Sequence, residues 1–176
     1  GKLAAFDPNT GALLNWAPKA NNNVKAMTTT PDRSRIIVGG QFSTINGISA
    51  PGSVSLDAAT GTMQPWAFNT VVKNSGTNAS IFSLTNDGTN IIATAYSYTM
   101  AAFEGAALVE PMTGRVKWLA DCHGDSYSAA ASNKLVYVAS HEHSCENIGS
   151  FGQVDNVFHR ATAFTYDATS TVKANR

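Results

Sequence analysis

Charge is scarce in this chain. Only 14% of its 176 residues are Asp, Glu, Lys or Arg, well under the usual quarter. Long solvent-exposed helices, which draw on Lys and Glu for their outer face, are therefore disfavoured. The charges that exist cancel, twelve basic against twelve acidic, so no net field would attract nucleic acid or an anionic membrane, and neither is expected as a partner. Apolar runs are short, and none approaches the length of a membrane span. There is no Gly-x-Ser-x-Gly elbow and no phosphate-binding glycine loop between a strand and a helix. No cofactor is expected. Cysteine is down to two residues, Cys122 and Cys145.

Thr, Ser, Asn, Ala and Gly take the place of charge. That composition suits β-structure with many tight turns, and a hydrophobic fraction of 43% is enough to give a chain of this length a core. In such a background an isolated cysteine pair favours a disulfide and an oxidising compartment; the alternative is two reduced, unrelated thiols. A bridge would be worth ~3 kcal/mol through loop closure.

Self-similarity is the strongest signal. The stretch from Leu3 to Trp16, with Asp7, Thr10 and Gly11 inside it, returns from Ser53 to Trp66 around Asp57, Thr60 and Gly61. It returns again from Ala107 to Trp118 around Glu110, Thr113 and Gly114. A decayed copy runs from Ala163 to Ser170, with Ser170 where Gly stood. Anchored on Thr10, Thr60, Thr113 and Thr169, the spacings are 50, 53 and 56 residues. Each unit reads as an apolar strand ending in an acidic residue, a Thr-Gly turn, and a strand bearing Trp. Two more strands follow, such as Val24-Lys25-Ala26-Met27 with Ile36-Ile37-Val38-Gly39, Ile81-Phe82-Ser83-Leu84 with Ile91-Ile92-Ala93-Thr94, and Tyr127-Ser128-Ala129-Ala130 with Val136-Tyr137-Val138-Ala139.

The signature residues have physical roles. Gly after Thr supplies the positive φ of a tight turn, the acidic residue accepts hydrogen bonds from turn amides, and the indoles suit packing between sheets. That capping position gives Asp57 and Glu110 a structural role rather than a catalytic one. Four strands of this kind form one antiparallel sheet, and a single sheet cannot bury both faces, so the units must stack. The expectation is an all-β chain of β-propeller blades, each a four-stranded antiparallel sheet. The units cover residues 3–52, 53–105 and 106–160, with the start of another at 161–176. About three and a fraction blades cannot close a ring, and both ends interrupt a repeat, so a fragment of a seven- or eight-bladed ring in a longer chain is expected; the alternative is that two copies complete one ring of about seven blades.

The pattern Asp-x-x-Thr-Gly-x-x-x-x-Trp resembles the tryptophan-docking motif of quinoprotein-type (PQQ-like) propellers. The stretch from Ile36 to Gly47 resembles the delta-60-type repeat of secreted actinobacterial propellers, and so do Asp121-Cys122-His123-Gly124-Asp125, His141-Glu142-His143-Ser144-Cys145 and Phe158-His159-Arg160-Ala161. The resemblance implies a secreted or cell-surface protein and strengthens the disulfide reading, because the two cysteines stand where that group has its pair.

Several residues stand out as candidate sites. His141 and His143 lie two apart, on one face of an extended strand, and could hold one metal with His123 or His159 joining; the alternative is that the histidines hydrogen-bond a long loop. His123 and Asp125 have the look of an acid/base pair, with a structural role as the alternative. Gln41, Tyr96 and His141 share one repeat position, a candidate ligand rim, to which the long insertion around 146–160 adds Phe158 and His159. Asn78-Ala79-Ser80 is a formal glycosylation acceptor. The functional expectation is a non-enzymatic extracellular module that binds a glycan or a protein partner. The alternatives are a quinoprotein-like oxidoreductase propeller, or a hydrolase propeller whose catalytic residues lie outside this segment.

Overall fold

A computed structural model describes residues 3–99 and 101–170 of the chain. Thirteen short strands account for nearly all its regular structure. The first sheet is formed by β1 (Val24–Thr29), β2 (Arg35–Gly40), β5 (Ser53–Asp57) and β6 (Met63–Gln64), with the two-stranded hairpin β3 (Thr44–Ile45) and β4 (Ile48–Ser49) inserted between β2 and β5. The second contains β7 (Ala79–Asn86), β8 (Ile91–Ser97), β9 (Gly105–Val109) and β10 (Val116–Asp121); the third contains β11 (Ser126–Ser132), β12 (Leu135–Glu142) and β13 (His159–Thr165). Every pairing is antiparallel. The fold is thus all-β with four-, two-, four- and three-stranded sheets, and among the described residues these close neither a barrel nor a ring.

The sheets are phased half a unit away from the sequence repeat. Sheets one and two each join the last two strands of one unit to the first two of the next and straddle the boundaries at 52/53 and 105/106, while sheet three adds the single strand β13 to β11 and β12. The reason is local. The acidic–Thr–Gly turn is a hairpin that keeps its two strands in one sheet, whereas the chain leaves the sheet after Trp, through the single-turn helix α1 (Phe68–Val71) in the first case. The opening copy is thinner than expected: around Thr10 only the bridge between Phe6 and Leu13 forms. The fourth copy is described as far as Ser170, and residues 171–176 lie outside the described residues.

Burial explains the stacking. Every residue of β8 is buried, as expected of a central strand with a sheet on each side. Ile91, Ala93 and Ala95 face the first sheet, together with Ile37, Trp66 and Phe68; Ile92 faces the third, together with Trp118, Val136 and Val138. In β12 burial alternates instead, because only one of its faces is covered. Between sheets, β7 lies against β1 and β2 of the first, and β11 lies against β8 and β7 of the second.

The repeated turns have one geometry. Asp7, Asp57 and Glu110 each accept from the amides two and three residues on, at 2.7 to 3.1 Å, and Gly11, Gly61 and Gly114 have φ of 71°, 73° and 74°. The turns at Asp57 and Glu110 each receive the tryptophan of the preceding unit. Trp16 donates its indole N–H to the carbonyl of Asp57 at 3.1 Å, and Trp66 lies against Gly114 while Ala67 N–H bonds the Thr113 carbonyl at 2.8 Å. At the third junction Ser170 replaces glycine, and its hydroxyl accepts from the Leu119 amide at 2.8 Å.

Candidate functional site

The candidate site is built at one end of the sheets, from the starts of their first strands and the ends of their second. Each first strand carries a β-bulge at the same register. Pairing with the neighbouring strand skips Lys25 between Val24 and Ala26, Phe82 between Ile81 and Ser83, and Tyr127 between Ser126 and Ser128. An extra residue of this kind leaves the ladder and re-aims its side chain. Phe82 and Tyr127 meet edge to face, centroids 5.8 Å apart, yet stay 38% and 42% exposed.

Behind them Tyr96 is buried, 5.6 Å from Phe82 and 5.4 Å from Tyr98. Its hydroxyl accepts from Gln41 Nε2 at 2.9 Å and donates to the Thr77 carbonyl at 3.3 Å, while Gln41 Oε1 accepts from Asn23 Nδ2 at 3.0 Å. Two of the expected rim residues, Gln41 and Tyr96, are therefore bonded to each other across two sheets. Tyr98 projects into solvent at 71% exposure.

Tyr98 also forms one wall of an open cleft of about 280 Å³, lined further by Ser97, Thr99, Ala102, Glu104, Asp121 and His123. Asp121 Oδ1 accepts from the Glu104 amide at 3.1 Å, and Glu104 Oε1 accepts from the Ser97 amide at 3.4 Å. Burial holds the Glu104 carboxyl up at about 7; the Ser97 amide pulls against this, and a hydrogen bond to Asp125 with the charges of Asp125 and Asp121 adds to it. The Asp125 charge, with burial and the neighbouring phenols behind it, raises Tyr98. Glu104, Asp125 and Tyr98 thus form one electrostatic neighbourhood that can both donate and accept hydrogen bonds.

His141, the third expected rim residue, belongs to a second cluster on the end of β12. Its ring lies 4.9 Å from His143 and 4.6 Å from Phe158, with His143 4.9 Å from Phe158 and Arg160 over the Phe158 ring. Burial and the neighbouring His141 lower His143. His159 is turned elsewhere and stacks on Phe151 at 3.6 Å. The two histidines that share a strand face do come together, but His123 lines the cleft and His159 its own stack. The one trio of metal-type side chains that converges among the described residues is Cys122, Glu142 and Cys145.

In that trio the two sulfurs are bonded to each other: Cys122 and Cys145 form a disulfide, fully buried. Beside it Glu142 is also fully buried. Its Oε1 accepts from Ser126 Oγ at 3.2 Å and its Oε2 has no partner. Burial raises its pKa, against the pull of the Thr162, Ser126 and Ser140 hydroxyls. A buried glutamate packed beside a disulfide forms a structural unit that ties the end of β10 to the insertion after β12.

Phe82, Tyr98, Tyr127 and Glu104 are absent from the residues singled out by sequence. Aligning Tyr127 with Ile81 and Val24 hides the row, because the true counterparts of Tyr127 are Phe82 and Lys25. A one-residue shift moves a side chain to the opposite face of a strand.

No protein-family model matches the chain, and no curated protein matches it.

Proposed function

We propose that the three sheets are blades of a β-propeller, and that the chain is a non-enzymatic extracellular binding module whose end face takes a glycan or a protein partner. The observation that carries the binding role is the aromatic row Tyr96–Phe82–Tyr127. Phe82 and Tyr127 carry it from one sheet to the next and stay partly exposed beside the acidic cleft, with Tyr96 buried beneath them and held by Gln41. Fixed aromatic surface that does not complete a core is characteristic of recognition faces.

Support for the propeller comes from the repeat of packing. Ile37, Ile92 and Tyr137 occupy one position in β2, β8 and β12. The first two are fully buried by the following sheet, and Tyr137 is 46% exposed. Ala139, Ala163 and Thr165 share that open face, with a shallow apolar depression of about 300 Å³ over Tyr137 and Ala139. A further sheet of the same repeat would cover it, as the rest of a ring in a longer chain requires. A buried disulfide agrees with an oxidising location, and no described helix is long and apolar enough to cross a membrane.

The test is a glycan array run beside affinity capture from cell-surface extracts, with the full chain as bait. Specific retention of a glycan or a protein, lost in Phe82→Ala, supports the module; retention of nothing on either platform removes it.

A further inference from the structure

The bulges give the row a direction and a chemistry. Three re-aimed side chains, Lys25, Phe82 and Tyr127, stand at one level of three successive sheets. Two of them are aromatic and touch. A β-bulge bends its strand and re-aims the extra side chain, and here it recurs at one register of all three sheets. The row is also rigid, because Tyr96 beneath it is held by Gln41 and the Thr77 carbonyl. Pre-organised rings lose little entropy when a ligand arrives.

The polar half of the site lies next to Tyr98. Hydroxyls of Ser97 and Thr99 and the carboxyls of Glu104 and Asp121 line the cleft, with Asp125 close enough to Tyr98 to influence its phenol. Carboxyl oxygens are strong acceptors and can each bond two hydroxyls. A ligand that matches this surface needs apolar C–H faces for the rings and many hydroxyls around its edge. It must also lack negative charge, because the charges of Asp121 and Asp125 would repel an anion. A lipid surface fails on the second requirement and an acidic polymer on the third.

We propose that the face formed by Phe82, Tyr98 and Tyr127 with Glu104 is a binding site for a neutral pyranose chain, the rings stacking on sugar faces and the cleft carboxyls accepting from sugar hydroxyls. This rests on the binding-module reading above and narrows it to one ligand class. A protein partner on the same face is an outcome of the test rather than part of the inference.

The test is calorimetric titration of the full chain with cellohexaose, maltohexaose and mannohexaose, and with hexagalacturonate as the anionic counterpart. At least one neutral hexasaccharide is expected to bind, with hexagalacturonate weaker by about tenfold or more, which corresponds to ~1.4 kcal/mol. Tyr98→Ala, at a side chain that is 71% exposed, is expected to weaken binding about tenfold without lowering the unfolding midpoint, while Tyr98→Phe retains binding. Phe82→Ala is expected to weaken it about tenfold with a modest fall in midpoint, because Phe82 also packs on Tyr96 and Tyr127. Failure of all three neutral sugars, insensitivity to both alanine variants, or equal binding of the uronate overturns the inference. If the sugars fail while a protein is captured through Phe82, the sugar assignment falls and the binding module stands. If both fail, the module falls with it.

Discussion

Trp66 lies so close to Gly114 of the following sheet that a β-carbon on that glycine would sit 2.7 Å from Cδ2 and Cε3 of the indole. The acidic–Thr–Gly turn and the tryptophan of the preceding sheet are therefore one interlocking joint. Gly11 offers the control, since its φ is nearly the same and nothing lies within 4 Å of its missing β-carbon. Gly11→Ala should cost about 1 kcal/mol for the left-handed backbone alone. Gly114→Ala should cost ~1–3 kcal/mol more, because the joint is overpacked. Urea unfolding of the two variants checks the difference, and equal losses would mean that the indole contact contributes nothing.

The disulfide is expected to contribute about 3 kcal/mol by constraining the unfolded chain. Replacing Cys122 and Cys145 together by Ala should then lower the thermal midpoint by about 6–12 °C for a chain of this size. Scanning calorimetry reads this directly. A drop of less than about 2 °C would show that the buried bridge is not a main support of the third sheet.

Glu142 predicts how stability depends on pH. Burial raises its pKa in the folded chain, so folding favours the protonated acid. Its contribution is complete below the unfolded glutamate value of about 4.3 and is lost as pH rises through the raised folded value. Glu142→Gln keeps a neutral group of the same shape, and should flatten the fall in stability on the alkaline side while leaving acid stability unchanged. Chemical unfolding from pH 4 to pH 9 is the measurement, and parallel curves for the two proteins would contradict the assignment.

Glu104 should be visible as a titration near neutrality. Its carboxyl is held at about 7 by burial first, and then by its bond to Asp125 and the nearby acidic charges. Side-chain carbon NMR should therefore show one glutamate with a midpoint near that value. Asp125→Asn should move the midpoint down, since it removes the like charge. A midpoint that stays in the ordinary carboxylate range would mean the cleft is wetter than its geometry indicates.

Much of the architecture was legible in the chain before any coordinates, because the repeated turn is local chemistry. Asp57, Thr60 and Gly61 specify their hairpin within five residues, and Trp66 follows at a fixed distance. The half-unit phase of the sheets was not legible, since it depends on where the chain departs after Trp66, which no single turn signals. The site was half legible. Gln41 and Tyr96 stand out in the sequence because β2 and β8 share one repeat pattern, and their mutual bond accounts for the polar variation there. Phe82 and Tyr98 were missed: a bulge is invisible in a strand pattern, and the shift that places Tyr127 opposite Ile81 separates it from Phe82. For the histidines the sequence leaves two readings open, a shared metal or a structural role in the loop. His141 and His143 do meet, as their spacing implies, but the partners their sequence suggested are committed elsewhere, with His159 stacked on Phe151.

The reading of the three sheets as propeller blades is tested most directly by the reactivity of Tyr137. Its equivalents Ile37 and Ile92 are fully buried by a following sheet, whereas Tyr137 is 46% exposed in the described chain. Covalent tyrosine labelling of the natural protein, quantified by mass spectrometry, compares Tyr137 with Tyr98, which is 71% exposed. The propeller predicts that Tyr137 is protected in the natural protein while Tyr98 reacts freely. Labelling of Tyr137 to the same extent as Tyr98 would show that no further sheet covers that face, and would contradict the account.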